Sequence, residues 1–361
     1  LTHKTIGGII DYYVIIDSSP ENVIKNIRFL LGYPFLPPYW SIGIHQSRYG
    51  YSSLEAFKEV YDSYQKNDIP IDTMWIDIDS LDDFEIFTLN KDNFGGLPTF
   101  IEQIHKDNSH FVPIVDIGVA LRENGIYTPI GKKLDIFLKS NYTKKDMIIK
   151  VWPGDTVIPD FFNPNTTLFW QYGLKQYYDL VHYDGIWLDM NEVANLNKEA
   201  KCIGEEAEEC NKEDNYYYYD DLPYLPGYDG NERTDMAAGT INENGILTGN
   251  NPLKYSVYNV KPMIPYLEIK ETYNFIKNGL GIRPFILTRS VPIGSGKYTA
   301  HWLGDNYSNY ESMRNSLSGI FQFNIFGIPM TGDDICGFLD DSNGVLCARW
   351  YNLGVFYPFS R

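Results

Sequence analysis

Short apolar runs recur along this chain with helical patterns, not hairpin turns, between them, and that alternation admits few folds. From about residue 40 the runs 41–45, 72–77, 111–116, 185–189, 284–288, 300–304, 327–331 and 354–357 read as strands. Helical patterns lie at 53–67, 97–107, 166–181, 265–279 and 309–324. Eight β units with intervening helices predict an α/β fold, a (β/α)₈ TIM barrel. An open doubly wound sheet is the alternative. It carries a Gly-rich phosphate turn after its first strand, and none follows here. The 361 residues fit one barrel of ~250 residues with insertions, and 43% hydrophobic residues supply its core. Two stretches break the alternation, after strands 3 and 4: 118–165, which is loop-rich, and 193–262, which is polar and contains GEEAEEC and NKED. Both read as insertions on the side where barrels build their sites.

Upstream, 8–16 reads as a strand and 20–31 as a helix that Pro20 opens at a favoured first-turn position. Leu36-Pro37-Pro38-Tyr39 marks a boundary. The chain starts mid-strand and stops on Arg361, so it reads as part of a longer protein.

A net charge of −17 repels phosphate backbones, which disfavours nucleic acid as a partner and leaves a neutral polyol open. No apolar run of ~18 residues is present to span a membrane. The four cysteines fall in two close pairs, Cys202 with Cys210 and Cys336 with Cys347, at spacings of 8 and 11. Even pairing at short range predicts two local disulfides and an oxidising compartment, secreted, lysosomal or vacuolar. No CxxC accompanies them, so neither zinc nor any other metal or cofactor is expected. Sequons at Asn141 and Asn165 agree with secretion; a third, at Asn306, is too enclosed to be glycosylated.

Barrel enzymes place catalysis at the C-terminal ends of their strands. Those ends here offer Asp77, Asp79, Asp116, Asp189, Asp305, Asp333 and Asp334. A single Asp in such a place is most simply a cap for the next helix; their convergence on nearly every strand is not. Trp152, Trp187 and Trp302 are close to these acids in sequence. Carboxylates orient hydroxyls and tryptophan covers the apolar face of a pyranose, which describes a sugar site better than a cation site. Glycoside hydrolysis needs one ionised and one protonated carboxyl group; residue types alone leave open which is which.

The segment GIWLDMNE at 185–192 resembles the nucleophile signature of family 31 of the glycoside hydrolases, W-[IL]-D-M-N-E. The likeness continues, in the family's order, at 31–53, 150–164, LTRS (287–290), GSGKYTAHWLGDN (294–306), TGDDICGF (331–338) and FYPFSR (356–361). HWLGDN is similar to the α-glucosidase branch rather than the endoplasmic-reticulum processing branch. The resemblance implies that Asp189 is a nucleophile forming a covalent glycosyl-enzyme and Asp305 the general acid/base. It implies substrate contacts from Asp77, Ile78, Ile114, Trp152, Trp187, Met190, Arg289, Trp302, Asp334 and Phe338, and a family disulfide at Cys336–Cys347. Arg289 is expected to lower the pKa of Asp189, and the Asp189 charge and Trp302 to raise that of Asp305. Residues 1–31 would be the end of an N-terminal β-sandwich region and its linker, and 32–361 the catalytic barrel.

The chain departs from the family pattern at Val193-Ala194, where Pro-Ser is usual, at Ser80-Leu81 and at Tyr258-Asn259. A family histidine that contacts the sugar follows FYPFSR, after the position of Arg361. The resemblance implies a retaining exo-α-glucosidase acting on terminal α-linked glucose of an oligosaccharide. An α-xylosidase, transglucosylase or glucan lyase shares the same pair of acids. A catalytically inactive glycan-binding homologue is the reading from another class, and intact Asp189 and Asp305 argue against it.

Overall fold

The computed structural model of the chain describes residues 9–197, 225, 227–229, 232–234, 237–248 and 255–361. At its centre is a seven-stranded sheet whose spatial order is its sequence order. The strands are β1 (His45–Gln46), β2 (Thr73–Ile76), β3 (His110–Asp116), β4 (Ile186–Asp189), β5 (Ile286–Thr288), β6 (Ala300–Trp302) and β7 (Thr331–Gly332). Every neighbouring pair is parallel. All four residues of β2 and all four of β4 are buried, because strands covered on both faces have no polar side to show.

The sheet curls until its two edges face the same segment. Ile44 forms a parallel bridge with Ser360, and the His45 N–H donates to the Ser360 carbonyl at 3.0 Å. On the other edge Gly332 lies so close to the chain that a Cβ there would stand 2.0 Å from the Phe359 carbonyl oxygen. Residues 359–360 thus occupy the eighth position. The run 354–357, expected to be that strand, instead closes a helix: the Asn343 side chain accepts from the Val345 and Leu346 N–H groups and starts a helix that ends at Gly354.

Around the sheet lie α1 (Pro20–Leu31), α2 (Leu54–Lys66), α3 (Leu97–Lys106), α4 (Pro164–Val181), α5 (Met263–Asn274), α6 (Tyr310–Ile325) and α7 (Gly344–Gly354). Ser19, Ser53, Asn163 and Asn309 cap α1, α2, α4 and α6 through their side chains. A π turn, Phe275–Gly279, continues α5.

Residues 9–16 form no strand. They are mostly exposed, Ile9 at 95% and Ile16 at 85%. The stretch 118–165 is more regular than expected. It holds the helix Tyr127–Leu134 and an antiparallel sheet of Val119–Ala120, Gly154–Val157 and Ile148–Val151. That sheet is tied to the end of β3 through Val119–Ala120. Within 193–262, the Ile241 N–H donates to the Val193 carbonyl at 2.9 Å, which returns residue 241 to the start of the stretch just after β4. No described helix is long and apolar enough to cross a membrane.

Candidate active site

Because the strands are parallel, whatever follows each of them emerges at one mouth. Asp116 and Asp189 are the last residues of β3 and β4 and are register partners. Asp77 follows β2, Arg289 follows β5, Asp305 follows β6 and Asp334 follows β7. The strand-end acids therefore share one rim, as the alternation predicts.

Arg289 organises the centre. Its Nε donates to Glu192 Oε2 at 3.0 Å and its Nη2 to Glu192 Oε1 at 2.6 Å. The same Nε lies 3.2 Å from Asp189 Oδ1, near enough for ion pairing. Its N–H is directed to Glu192, however, and Asp189 Oδ1 is buried without a hydrogen-bond partner. Asp189 is thus a carboxylate beside a cation with one oxygen uncommitted. Arg289 lowers the pKa of Asp189 as expected, but burial outweighs it and pushes the carboxyl up to about 6. Arg289 and the Met190 amide oppose that rise, while Glu192 and Asp305 add to it.

Asp305 is raised too, by burial first. Arg289 and Arg361 pull it down, and Asp334 and Glu192 push it up. The repulsion expected from Asp189 comes foremost from Asp334. Asp77 caps the turn Ile78–Ser80 by accepting from the Ile78 N–H at 2.7 Å, so for this residue the capping role is real. Burial, then the charges of Asp189 and Asp79, still lift it to about 7.

The tryptophans form one wall. Trp187 and Trp302 meet edge to face at 5.6 Å, and Trp187 meets Trp75 at 6.1 Å. The indole N–H groups of Trp187 and Trp302 are buried and unpartnered. Ile78, Ile114 and Met190 are buried beside them. Met190 has a φ of 55°, a left-handed conformation that turns the chain sharply after Asp189. Trp152 and Phe338 stand apart from this wall. Trp152 is 41% exposed at the turn of the hairpin on the rim, and Phe338 is 38% exposed with its ring 6.5 Å from that of Tyr49. Cys336 and Cys347 are bonded, which joins the loop after β7 to α7. Cys202 and Cys210 lie outside the described residues. His45 and His301 are packing residues: His45 Nδ1 accepts from the Trp75 indole at 3.0 Å, and His301 Nδ1 meets the Thr288 carbonyl at 3.0 Å.

The model of the glycosyl hydrolases family 31 TIM-barrel domain matches residues 34–361. The chain belongs to glycoside hydrolase family 31. It is 37% identical to α-xylosidase 1 of Arabidopsis thaliana, over the whole of this chain and 40% of that protein. It is 35% identical to the lysosomal α-glucosidase of Mus musculus, over the whole of this chain and 36% of that protein. Among solved structures, an ER glucosidase II heterodimer aligns with a TM-score of 0.79 at 26% identity, over 96% of this chain and 34% of that one. The family 31 α-glucosidase of Bacteroides thetaiotaomicron aligns at 0.73 and 26%, over 97% of this chain and 50% of that one. The chain spans well under half the length of the two curated relatives.

Sequence reasoning left four polar residues of this family 31 site without a role. Asp116 was noticed only as a strand end, yet it is 2% exposed and both its carboxyl oxygens are unpartnered. Glu268 on α5 is fully buried and accepts from Asn191 Nδ2 at 3.0 Å. Glu192 holds Arg289, as described. Arg361 donates to Asp334 Oδ1 at 2.7 Å, and its guanidinium lies 4.6 Å from the Trp187 ring, 5.1 Å from Trp302 and 5.2 Å from Trp75. This cation–π cage locks the indole wall to the eighth position of the barrel.

So many buried acids leave a mark on stability. Burial raises Asp77 and Asp333 to about 7 and Asp189 to about 6, and lifts Asp116 and Glu268 well above the usual carboxyl range. In the unfolded chain these groups titrate near 4. Between about pH 4 and 7 the folded state therefore binds more protons than the unfolded state, and stability falls as pH rises. The urea midpoint should drop on going from about pH 5 to about pH 8. A midpoint that climbs over this interval would contradict that accounting.

Proposed function

We propose that this chain is the catalytic barrel of a retaining exo-α-glucosidase that acts on terminal α-linked glucose of maltose, maltooligosaccharides or related glycans. The observation that carries the reading is the pair of carboxyls at one mouth under the influence of a shared Arg289. Asp189 has an uncommitted oxygen beside the guanidinium, and burial raises the Asp305 carboxyl, the direction a general acid needs. Asp189 attacks the anomeric carbon while Asp305 protonates the departing glycosidic oxygen. Esterification then removes the Asp189 charge, and Asp305, now deprotonated, activates the water that releases the sugar. Arg289 stabilises the attacking carboxylate.

Asp77 and Asp334 accept from sugar hydroxyls. Ile78, Ile114, Trp187, Met190 and Trp302 form the apolar wall, and the two unpartnered indole N–H groups give it polar handles. Trp152 and Phe338, on the exposed rim, face the leaving part of the substrate. The stretch 118–165 and the described part of 193–262 are insertions that build this rim, and residues 9–31 precede the barrel. The Cys336–Cys347 bond, the close spacing of Cys202 and Cys210 in the sequence, and the lysosomal α-glucosidase relative support a secretory-pathway location.

A second reading has an observation behind it: the α-xylosidase relative matches as well as the α-glucosidases do. Xylose lacks the hydroxymethyl group of glucose, so the two differ in pocket volume rather than in the acids. Release of glucose from maltose should outpace release of nitrophenol from p-nitrophenyl α-xyloside; the opposite ranking transfers the enzyme to the second reading. NMR of the first-formed sugar should show the α-anomer. First appearance of the β-anomer rules out retention.

A further inference from the structure

Resting on the reading of Asp189 as nucleophile, we propose that Asp116 is a further positioning residue whose carboxyl carries a proton and donates it as a hydrogen bond to the Asp189 carboxylate. The two residues are register partners on adjacent parallel strands, which puts their side chains on one face about 4.8 Å apart at the backbone. Both Asp116 oxygens and Asp189 Oδ1 are buried with no hydrogen-bond partner. Two ionised carboxylates cannot satisfy one another, since each only accepts. A single proton placed on Asp116 converts the orphaned oxygens into a donor and an acceptor. An enclosed carboxylic acid kept neutral is an effective donor to a developing or resting anion.

The surroundings decide which of the two keeps the proton. Asp189 has Arg289 alongside at 3.2 Å, whereas among the described residues no cation lies within ion-pairing distance of Asp116. The other groups bearing on Asp116 are Asp77 after β2, then Arg289 as a counterweight, then Glu192 after β4. Glu268 on α5, hydrogen-bonded to Asn191, is itself raised by burial first, with Asn191 opposing and the Asp189 and Glu192 carboxylates adding to the rise. Asp189 is the charge that acts on Asp116 most strongly, ahead of Asp77. A neutral Asp116 spares the site a third adjacent charge and holds the Asp189 carboxylate in a fixed orientation for attack.

Two variants and one spectrum test this. Asp116→Asn keeps a neutral N–H donor of the same shape, so kcat/KM should fall no more than about tenfold and its acid limb should stay in place. Asp116→Ala removes the donor, so the acid limb should move up by about one to two pH units and kcat should fall further. An infrared difference spectrum, wild type minus Asp116→Asn near neutral pH, should contain the C=O stretch of a protonated carboxyl. If that band is missing, or if Asp116→Asn moves the acid limb down by a unit, Asp116 is ionised and the proposal is wrong. Equal limb shifts in the two variants also overturn it, because the donor then plays no part. Should the Ala variant not fold, the Asn variant and the spectrum still decide. The spectrum does not depend on turnover. It separates failure of this proposal from failure of the nucleophile reading, which shows instead as absence of a covalent sugar on Asp189.

Discussion

Asp189→Ala is expected to lower turnover of maltose by ~10⁴-fold or more, the largest effect of any single substitution in this chain. The side chain lost is the one that would form the bond to the anomeric carbon, and no neighbour can take its place. Asp116 and Glu268 are buried with their carboxyls lifted well above the usual range, chiefly by burial, which disfavours the anion a nucleophile needs, and Glu192 is committed to Arg289 by two hydrogen bonds. Truncation opens space beside Arg289 on the face from which the carboxylate attacks. A small anion such as azide can enter it, drawn by the guanidinium. With an activated α-glucoside and Asp305 intact, azide should restore turnover and yield the β-glucosyl azide, the inverted product. The substitution should not unfold the protein, because it removes a buried charge that burial already disfavours. Thermal melting of the variant, run beside the kinetics, checks this. If Asp189→Asn kept near-wild-type turnover, with reversion to Asp excluded by mass spectrometry, another group would have to be the nucleophile.

The reasons why some of this was legible in the sequence and some was not are physical. A strand buried on both faces must be a continuous apolar run, so β2 through β6 could be read within a residue or two from their composition. The start of α1 was marked by Pro20, and the patterns at 53–67 and 309–324 begin on the residues that the structure shows as caps, Ser53 and Asn309. The eighth position was misread because 354–357 is as apolar as a strand. Its conformation is set from behind by the Asn343 cap, while the true closure depends on contacts with Ile44 and Gly332, more than 300 and about 27 residues away. Periodicity carries no information about such distances. Glu268 was invisible for a related reason. In MIPYLEIKETYN a glutamate reads as a solvent-facing helix residue, and only the fold reveals that it is turned inward onto Asn191. Arg361 had a signal, its place at the end of FYPFSR, but nothing in that run announces three tryptophans around its guanidinium. Arg289 does pull the Asp189 carboxyl down, as its place in the motif implies, but the loss of solvent that outweighs it and sets the net rise cannot be read from a motif.

The second large effect concerns Asp305, and its signature lies in how the loss depends on the leaving group. Asp305→Ala should slow maltose hydrolysis by ~10²–10⁴-fold, because a sugar alkoxide departs poorly without a proton. A substrate with an acidic leaving group, such as a dinitrophenyl or fluoride α-glucoside, needs no proton to depart, so its first step should be nearly spared. The second step still lacks its base. The glycosyl-enzyme on Asp189 should therefore accumulate and be visible by mass spectrometry as an added hexose. Azide needs no general base, so it should discharge this intermediate and give the α-glucosyl azide, the retained product. Opposite anomers from azide in the two variants identify the two roles independently, since each product records the face from which the anion arrived. The pH dependence should change with them. In the wild type the basic limb reports loss of the proton from Asp305, whose carboxyl is raised by burial and by Asp334. In Asp305→Ala that limb should disappear for activated substrates, while the acid limb, which follows ionisation of Asp189 at about 6, should persist. An Asp305→Ala enzyme that lost the same factor on maltose and on the dinitrophenyl glucoside would show that Asp305 shapes the site without moving a proton.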